Sequence, residues 1–145
     1  MFSVEITGEI DNWLGAKHRE MSNTMERKVQ TAAFSVEREA KNNLKEHVST
    51  GRLIRGVSSK VVKRGFASWA AVGTDVVYGS ALEHGTDPHW APIRDLERWA
   101  KQRGLNPYAV QRNISGEGTT AGGTKAHPWL IPARNKVLSA FDWSL

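Results

Sequence analysis

The chain contains no cysteine among its 145 residues, which excludes disulfides and thiolate chemistry. No apolar run approaches the roughly 18 residues that a membrane-spanning helix needs, so we expect no membrane partner. The first residues, MFSVEITGEIDNW, are acidic and alternate in hydrophobicity, and we expect neither a signal nor a transit peptide in them. The length predicts one domain, over residues 1–145, with a single core.

Carboxylates are absent between Glu46 and Asp75, although the chain as a whole carries a net charge of +5. Such a one-sign stretch suits a polyanion such as DNA, because each neutralised phosphate releases a counterion. The alternative is a solvated strand face kept soluble by lysine and arginine. The basic residues of this stretch are Arg52, Arg55, Lys60, Lys63 and Arg64.

Hydrophobic periodicity in the first third predicts a strand and then a long helix. Residues 2–7 alternate as a half-buried strand does, and Asp11 is placed to cap a short helical turn. A helix is predicted from about Asn23 to about Val48, with Asn23 and Glu26 at the spacing of a capping box. Its apolar stripe consists of Met25, Val29, Ala32, Ala33, Val36, Ala40 and Leu44.

A hairpin is predicted next, with strands over 53–63 and 67–73 and a turn at Arg64-Gly65. The expected fold class is therefore α+β, with the long amphipathic helix packed on a small, mostly antiparallel twisted sheet and short additional helices. A helix over about 92–103 is predicted to begin at Pro92 and to bury Ile93, Leu96, Trp99 and Ala100. One or two helical turns are predicted from Pro107. A flexible glycine-rich loop is predicted over 115–124, and a short helix after Ile131-Pro132.

Two phrases of the chain share a Gly-Thr pair followed by histidine and tryptophan: GTDPHW at 85–90 and GTKAHPW at 123–129. A metal site needs three or four converging ligands, usually at helical spacing or in tight turns. The densest group of candidate ligands is interrupted by Gly85 and Pro88, and no His-Glu-x-x-His phrase exists. We expect no metal and no cofactor. The group consists of Glu83, His84, Asp87 and His89.

None of the common catalytic sequence motifs is complete in this chain. His84-Gly85-Thr86 matches one half of a two-histidine phosphoesterase motif, but His127 is followed by Pro128, so the second half is absent. There is no Gly-x-Ser-x-Gly elbow and no phosphate-binding glycine loop. We expect no enzymatic activity and no catalytic residues. A metal-dependent hydrolase that uses His84, His89 and His127 remains an alternative.

Glycine, proline and tryptophan in these phrases suit loops that hold other proteins. Glycine permits unusual backbone angles, proline presets a turn, and tryptophan dominates many contact surfaces. The alternative for Trp90 and Trp129 is that they close the domain's own core. The predicted interface residues are Gly85, Thr86, His89, Trp90, Pro92, His127, Pro128, Trp129, Leu130 and Pro132.

Several longer phrases follow one another after the long helix: STGRLIRGV, AVGTDVVYGSALEHGTDPHWAP, LERWAKQRG and GTKAHPWLIPARN. In this order they resemble the head–tail joining family of long-tailed bacteriophages, also catalogued as neck or tail-completion proteins and as minor tail components. The resemblance covers about residues 20–140. The family commonly has Tyr-Ala where this chain has Tyr78-Gly79. The most specific pieces are Thr50-Gly51-Arg52-Leu53, the run of Val72-Gly73-Thr74 and Tyr78 to Glu83-x-Gly85-Thr86, and His127-Pro128-Trp129-Leu130-x-Pro132-Ala133.

The resemblance implies a structural virion protein whose copies form a ring around the channel for genomic DNA. It implies contacts with neighbouring head-connector and tail proteins and assembly in the host bacterial cytoplasm, and it is compatible either with a monomer or with self-association when the chain is alone. The basic residues at 52–64 would face DNA without sequence preference. Alternatives are a tail-terminator or head-closure ring, and a free DNA-binding protein that uses the basic 52–64 hairpin.

Overall fold

The computed structural model describes residues 9–47, 51–118 and 122–144, and these residues form an α+β fold as predicted. The predicted strand at 2–7 lies outside the described residues. The elements in chain order are α1 (Glu9–Asn43), a short 3-10 helix (Lys45–His47), α2 (Arg52–Gly56), β1 (Val57–Arg64), β2 (Ala67–Thr74), α3 (Tyr78–His84), α4 (Ile93–Gln102), α5 (Pro107–Ser115) and α6 (Leu130–Ala140).

Helix α1 is the element on which the hairpin and α6 pack. The predicted apolar stripe is confirmed, because its members from Ala32 to Leu44 are buried and Met25 and Val29 are half-buried. The core also takes side chains from α2, β1 and α6. It consists of Val36, Ala40, Leu44, Leu53, Val57, Val76, Trp129 and Ala133.

The predicted start of α1 at Asn23 is wrong, because the helix begins at Glu9. The capping-box residues have a different partner. Lys63 of β1 donates to Asn23 Oδ1 and to Glu26 Oε2, both at 2.9 Å. These side chains join α1 to the hairpin instead of capping the amino end of the helix. The segment around Asp11, predicted as a separate turn, is part of α1.

The hairpin is antiparallel and turns at Gly65-Phe66, one residue later than predicted, with Arg64 opposite Ala67. Its inner face packs on α1, where Ser59 Oγ donates to Glu37 Oε2 at 2.6 Å and Lys41 donates to Glu37 Oε1 at 2.6 Å. Hydrogen bonds from Lys41 and Ser59 hold the pKa of Glu37 below its ordinary value. The charge of Glu37 therefore helps to fix the hairpin on the helix.

The prediction that residues 53–56 belong to a strand is also wrong. Residues Arg52–Gly56 form α2, and the strand begins at Val57. A short apolar run such as Leu53-Ile54 does not distinguish a helical turn from a strand by its periodicity. Leu53 reaches the core from this turn, so the hydrophobic assignment holds although the element type does not.

Helices α4 and α5 pack on one another. Pro92 lies just before α4, and Pro107 opens α5 as predicted, with Asn106 Oδ1 accepting the amide hydrogen of Tyr108 at 2.9 Å. Ala100 is buried, but Trp99 is 36% exposed, with the guanidinium of Arg103 over its ring at 4.6 Å. The predicted burial of Trp99 is therefore wrong.

In the part of the chain that the structure describes, no helix combines the length and the apolar character that crossing a membrane requires.

Gly79 in α3 lies against the core at a distance that leaves no space for a side chain. A Cβ atom there would lie 2.6 Å from Thr74 Cγ2 and 3.2 Å from Leu53 Cδ1. We expect Gly79→Ala to lower the free energy of unfolding by about 1–3 kcal/mol, because the core must shift to admit the methyl group. Urea unfolding followed by far-UV circular dichroism measures this value.

Gly15 provides the matched control for this substitution. It lies within α1, and a Cβ there has only Arg19 Nη1 near it, at 3.6 Å. Gly15→Ala should raise the free energy of unfolding by about 0.5–1 kcal/mol, because alanine restricts the unfolded chain and favours helix. Equal effects of the two substitutions would contradict the close packing at Gly79.

Candidate functional site

The two Gly-Thr phrases are bonded to each other. Thr86 and Thr124 form an antiparallel bridge in which each amide donates to the other carbonyl oxygen at 3.1 Å. Their hydroxyl oxygens lie 2.9 Å apart. The amide of Gly123 donates to Ile114 O at 2.8 Å, so the bridge is also tied to the end of α5. The similarity of the phrases thus reflects a pairing of two loops.

Close approach explains the glycine before each threonine. Gly85 has φ of 75° and Gly123 has φ of 72°, in the left-handed region that side chains disfavour. A Cβ on Gly85 would lie 2.5 Å from Thr124 O, and one on Gly123 would overlap Thr86 O. Glycine at both positions lets the two backbones meet.

Glu83 is the centre of the same region. It lies two residues before Gly85, and it is one of two polar residues that are buried in the described part of the chain. Its Oε2 accepts the amide hydrogens of Trp129 at 2.7 Å and Leu130 at 2.8 Å, and its Oε1 accepts that of Ile131 at 2.9 Å. The carboxylate therefore caps the amino end of α6 from a distant part of the chain.

Trp129 is fixed by hydrogen bonds of its backbone and ring and by packing in the hydrophobic core. Its indole Nε1 donates to Gly79 O at 3.1 Å, and its carbonyl oxygen accepts from Asn43 Nδ2 at 3.0 Å. The residue is 2% exposed. The prediction that Trp129 contacts a partner is therefore corrected, because its side chain is part of the domain's own core.

The role of Glu83 as a cap was not predicted, because its neighbours His84, Asp87 and His89 suggest a group of metal ligands. A signal was present in the sequence. The segment before α6 reads His-Pro-Trp and offers no serine, threonine, aspartate or asparagine to cap the helix, and Trp129 makes no side-chain cap. The first amides of α6 therefore needed an acceptor from elsewhere.

The other predicted interface residues differ in exposure. Trp90 is 58% exposed, in a loop where the amide of His89 donates to Ile114 O at 3.2 Å. Gly85 and Thr86 are half-buried in the bridge, and Leu130 is half-buried at the edge of the core. The remaining predicted interface residues are exposed: His89, Pro92, His127, Pro128 and Pro132.

The histidines considered for a metal hydrolase do not assemble into a site in the described part of the chain. No group of three or more histidine, aspartate and glutamate side chains there has positions suited to a metal ion. Glu83 points to α6 amides, and His89 Nδ1 lies 2.9 Å from the carbonyl oxygen of Asp87. The geometry therefore favours loop stabilisation by these residues.

The basic residues do not form one continuous face. Side chains alternate along a strand, so Lys60 and Arg64 share the outer face of the hairpin, opposite α1. Lys63 points to α1 and forms an ion pair with Glu26 at 2.9 Å. Arg52 and Arg55 are exposed on helix α2, outside the hairpin.

The six tryptophans differ widely in burial. Of the six in the sequence, only Trp129 is buried. The other five are Trp13 at 60% exposure, Trp69 at 55%, Trp90 at 58%, Trp99 at 36% and Trp143 at 43%. Tryptophan is normally well buried in a free domain and is enriched at protein–protein interfaces.

Removal of the charge on Glu83 tests its role as a helix cap. Glu83→Gln keeps the side-chain shape but replaces one acceptor oxygen by an amide donor that faces the α6 amides. We expect a loss of about 1.5–3 kcal/mol in the free energy of unfolding, the range for hydrogen bonds to charged groups. Urea unfolding measures it, with Glu97→Gln on the exposed side of α4 as the matched control. Equal stability of the two variants would contradict the cap.

Trp129 and Trp90 should respond in opposite ways to the same substitution. Trp129→Ala removes a buried ring and one hydrogen bond, and we expect it to cost about 3–5 kcal/mol of stability. Trp90→Ala changes a mostly exposed side chain, and we expect a change within about 0.5 kcal/mol. Thermal and urea unfolding of both variants measure this. A stable Trp129→Ala protein would show that the ring does not support the core.

No family model, no curated protein and no solved structure matches this chain. Its function is therefore inferred from its own residues and contacts.

Proposed function

We propose that the chain is a structural virion protein of a long-tailed bacteriophage, which assembles into a ring at the joint between head and tail. The motifs that resemble the head–tail joining family motivate the virion role. The exposure of five of the six tryptophans is the observation that supports assembly. The ring acts by holding its neighbours in place around the DNA channel, and no bond is made or broken by it.

The contacts of the family-like phrases support a structural role for them. Glu83, Thr86 and Trp129 lie in these phrases, and each is used to join loops to the core or to one another. A fixed loop presents its exposed residues at a defined position, which lowers the entropy cost of binding. Trp90 is the side chain in this region with the most exposed aromatic surface, and we assign it to the contact with a neighbouring protein.

For DNA passage, we assign a narrower set of basic residues than the sequence analysis did. Lys60 and Arg64 share the outer face of the hairpin, whereas Lys63 stabilises the fold through Glu26. A lumen contact through Lys60 and Arg64 is sequence-independent and weakens as salt is added.

Deletion of the gene in its phage tests the proposed position in the virion. We expect filled heads and finished tails that remain separate, because the joint between them is missing. Electron microscopy of the lysate measures the ratio of joined to separate particles. Overlong tails would favour the alternative of a tail terminator, and normal infectious particles would contradict a virion role.

Complementation of that deletion by variants tests the two assigned surfaces. Trp90→Ala should lower the yield of joined particles strongly, while the purified variant keeps its unfolding midpoint. Lys60→Glu with Arg64→Glu should leave joining intact and lower the fraction of particles that retain or deliver DNA, because two charges that face phosphate are reversed. Wild-type infectivity of the double variant would contradict the lumen assignment.

A further inference from the structure

An apolar groove of about 450 Å³ lies between β2 and α6, with α1 as its floor. The floor contains Ala32 and Ala33, whose small side chains leave room above the helix. The α6 wall includes Leu130 and Leu138, and Trp143 also lines the groove. The groove is thus lined mainly by apolar side chains, as a protein core is, but no described element packs into it.

The groove runs along the edge of β2 that does not face β1. The lining includes Ser68 and Ala70, which point to α1, and also Trp69, which points to the outer face, whereas no residue of β1 takes part. Residues of both faces border a single groove only along a strand edge. Among the described residues β2 pairs with β1 alone, so this edge has unpaired amides and carbonyls that accept another strand.

A buried polar atom in the groove also lacks its partner. Ser68 Oγ is inaccessible to solvent and makes no hydrogen bond with any described residue. A buried hydroxyl without a partner is unfavourable, so the inner face of β2 has an unsatisfied polar atom at Ser68 among the described residues.

The chain itself contains a segment with the pattern that this groove requires. Phe2, Val4 and Ile6 alternate with polar Ser3, Glu5 and Thr7. A strand with this pattern that pairs with β2 places its three apolar side chains on α1 and its polar side chains in solvent. The polar set includes an acid, and Arg134 on the groove wall donates to Asn135 without an ion pair to a described carboxylate.

In its own molecule this segment cannot reach the part of the groove that lies over Ala32 and Ala33. Only Gly8 separates it from Glu9, where α1 begins. Val29 is the groove residue of α1 nearest to that end, 20 residues or about 30 Å along the helix. The seven residues from Phe2 to Gly8 span at most about 25 Å when extended, so even Phe2 falls short and Val4 and Ile6 lie farther away.

The amino end of α1 extends past the hairpin turn. The hairpin turn lies beside His18, whose ring is 5.6 Å from that of Phe66. Helix α1 continues for nine more residues, about 13 Å, beyond His18, and its Trp13 and Leu14 are exposed there.

We propose that residues 2–7 of one copy bind as a strand on the free edge of β2 in a second copy, over Ala32 and Ala33. The proposal rests on the proposed assembly into a ring of identical subunits and names the contact that joins neighbours. In a ring each subunit gives one strand to one neighbour and accepts one from the other, so the contact is head-to-tail and is repeated around the closed ring.

Sedimentation velocity of the full chain over a range of concentrations tests the proposal. Val4→Asp with Ile6→Asp should weaken self-association at least about a hundredfold, because each apolar side chain withheld from the groove is worth more than a factor of ten. Ser3→Asp with Thr7→Asp adds the same charge on the opposite face and should leave association nearly unchanged. A full chain that stays monomeric, or equal effects of the two variants, would overturn the proposal.

Photo-crosslinking distinguishes exchange between copies from binding within one copy. A benzophenone amino acid at position 2 is introduced into a chain that is mixed with ¹⁵N-labelled wild-type chain. We expect crosslinks between unlabelled and labelled chains, at groove residues of β2 or α1. Crosslinks within one chain, or outside the groove, would overturn the proposal. They would leave the virion role standing, because the gene deletion tests that role independently.

Discussion

The buried carboxylate of Glu83 is the interaction on which this structure depends most. The helix α6 contributes Ala133 to the core but begins with three amides for which its own sequence offers no cap. One side chain from α3 satisfies all three, at distances of 2.7 to 2.9 Å. Because these amides belong to Trp129, Leu130 and Ile131, the same contact fixes the large ring of Trp129 against α1 and α3. Loss of this acceptor leaves the buried amide of Trp129 and the part-buried amides of Leu130 and Ile131 unpaired, and an unpaired buried donor costs more than its bond contributes.

This cap also explains the repeated phrase. Glu83 lies before Gly85-Thr86, and Trp129 follows Gly123-Thr124, so the cap and the threonine bridge join the same two chain segments twice. Residues that resemble parts of a catalytic or metal site in the sequence are thus used to hold two loops together. What remains for contact with other molecules is the exposed surface: Trp90 on the fixed loop, and the groove beside β2.

The sequence predicted the parts of the fold that depend on periodicity. The apolar stripe of α1, the two strands of the hairpin and the helix at Pro107 follow from spacing and turn chemistry, and the structure has them. The predictions from sequence were wrong or missing where a side chain binds a residue that is distant in the chain. Asn23 and Glu26 have the spacing of a capping box but bind Lys63, and Glu83 caps a helix 46 residues away from it in the chain. Tertiary packing determines which residues become such partners, and local sequence patterns do not predict them. Trp90 and Trp129 occur in similar phrases, and only packing separates the exposed ring from the buried one.

Hydrogen exchange of individual amides measures the central contact most directly. If Glu83 caps α6 in solution, the amides of Trp129, Leu130 and Ile131 should exchange as slowly as that of buried Ala40, through opening of the whole domain. Exchange of these three amides at the rate of an exposed loop would contradict the cap. It would also contradict the conclusion that Glu83 and the Thr86–Thr124 bridge together join the two chain segments that contain the Gly-Thr phrases.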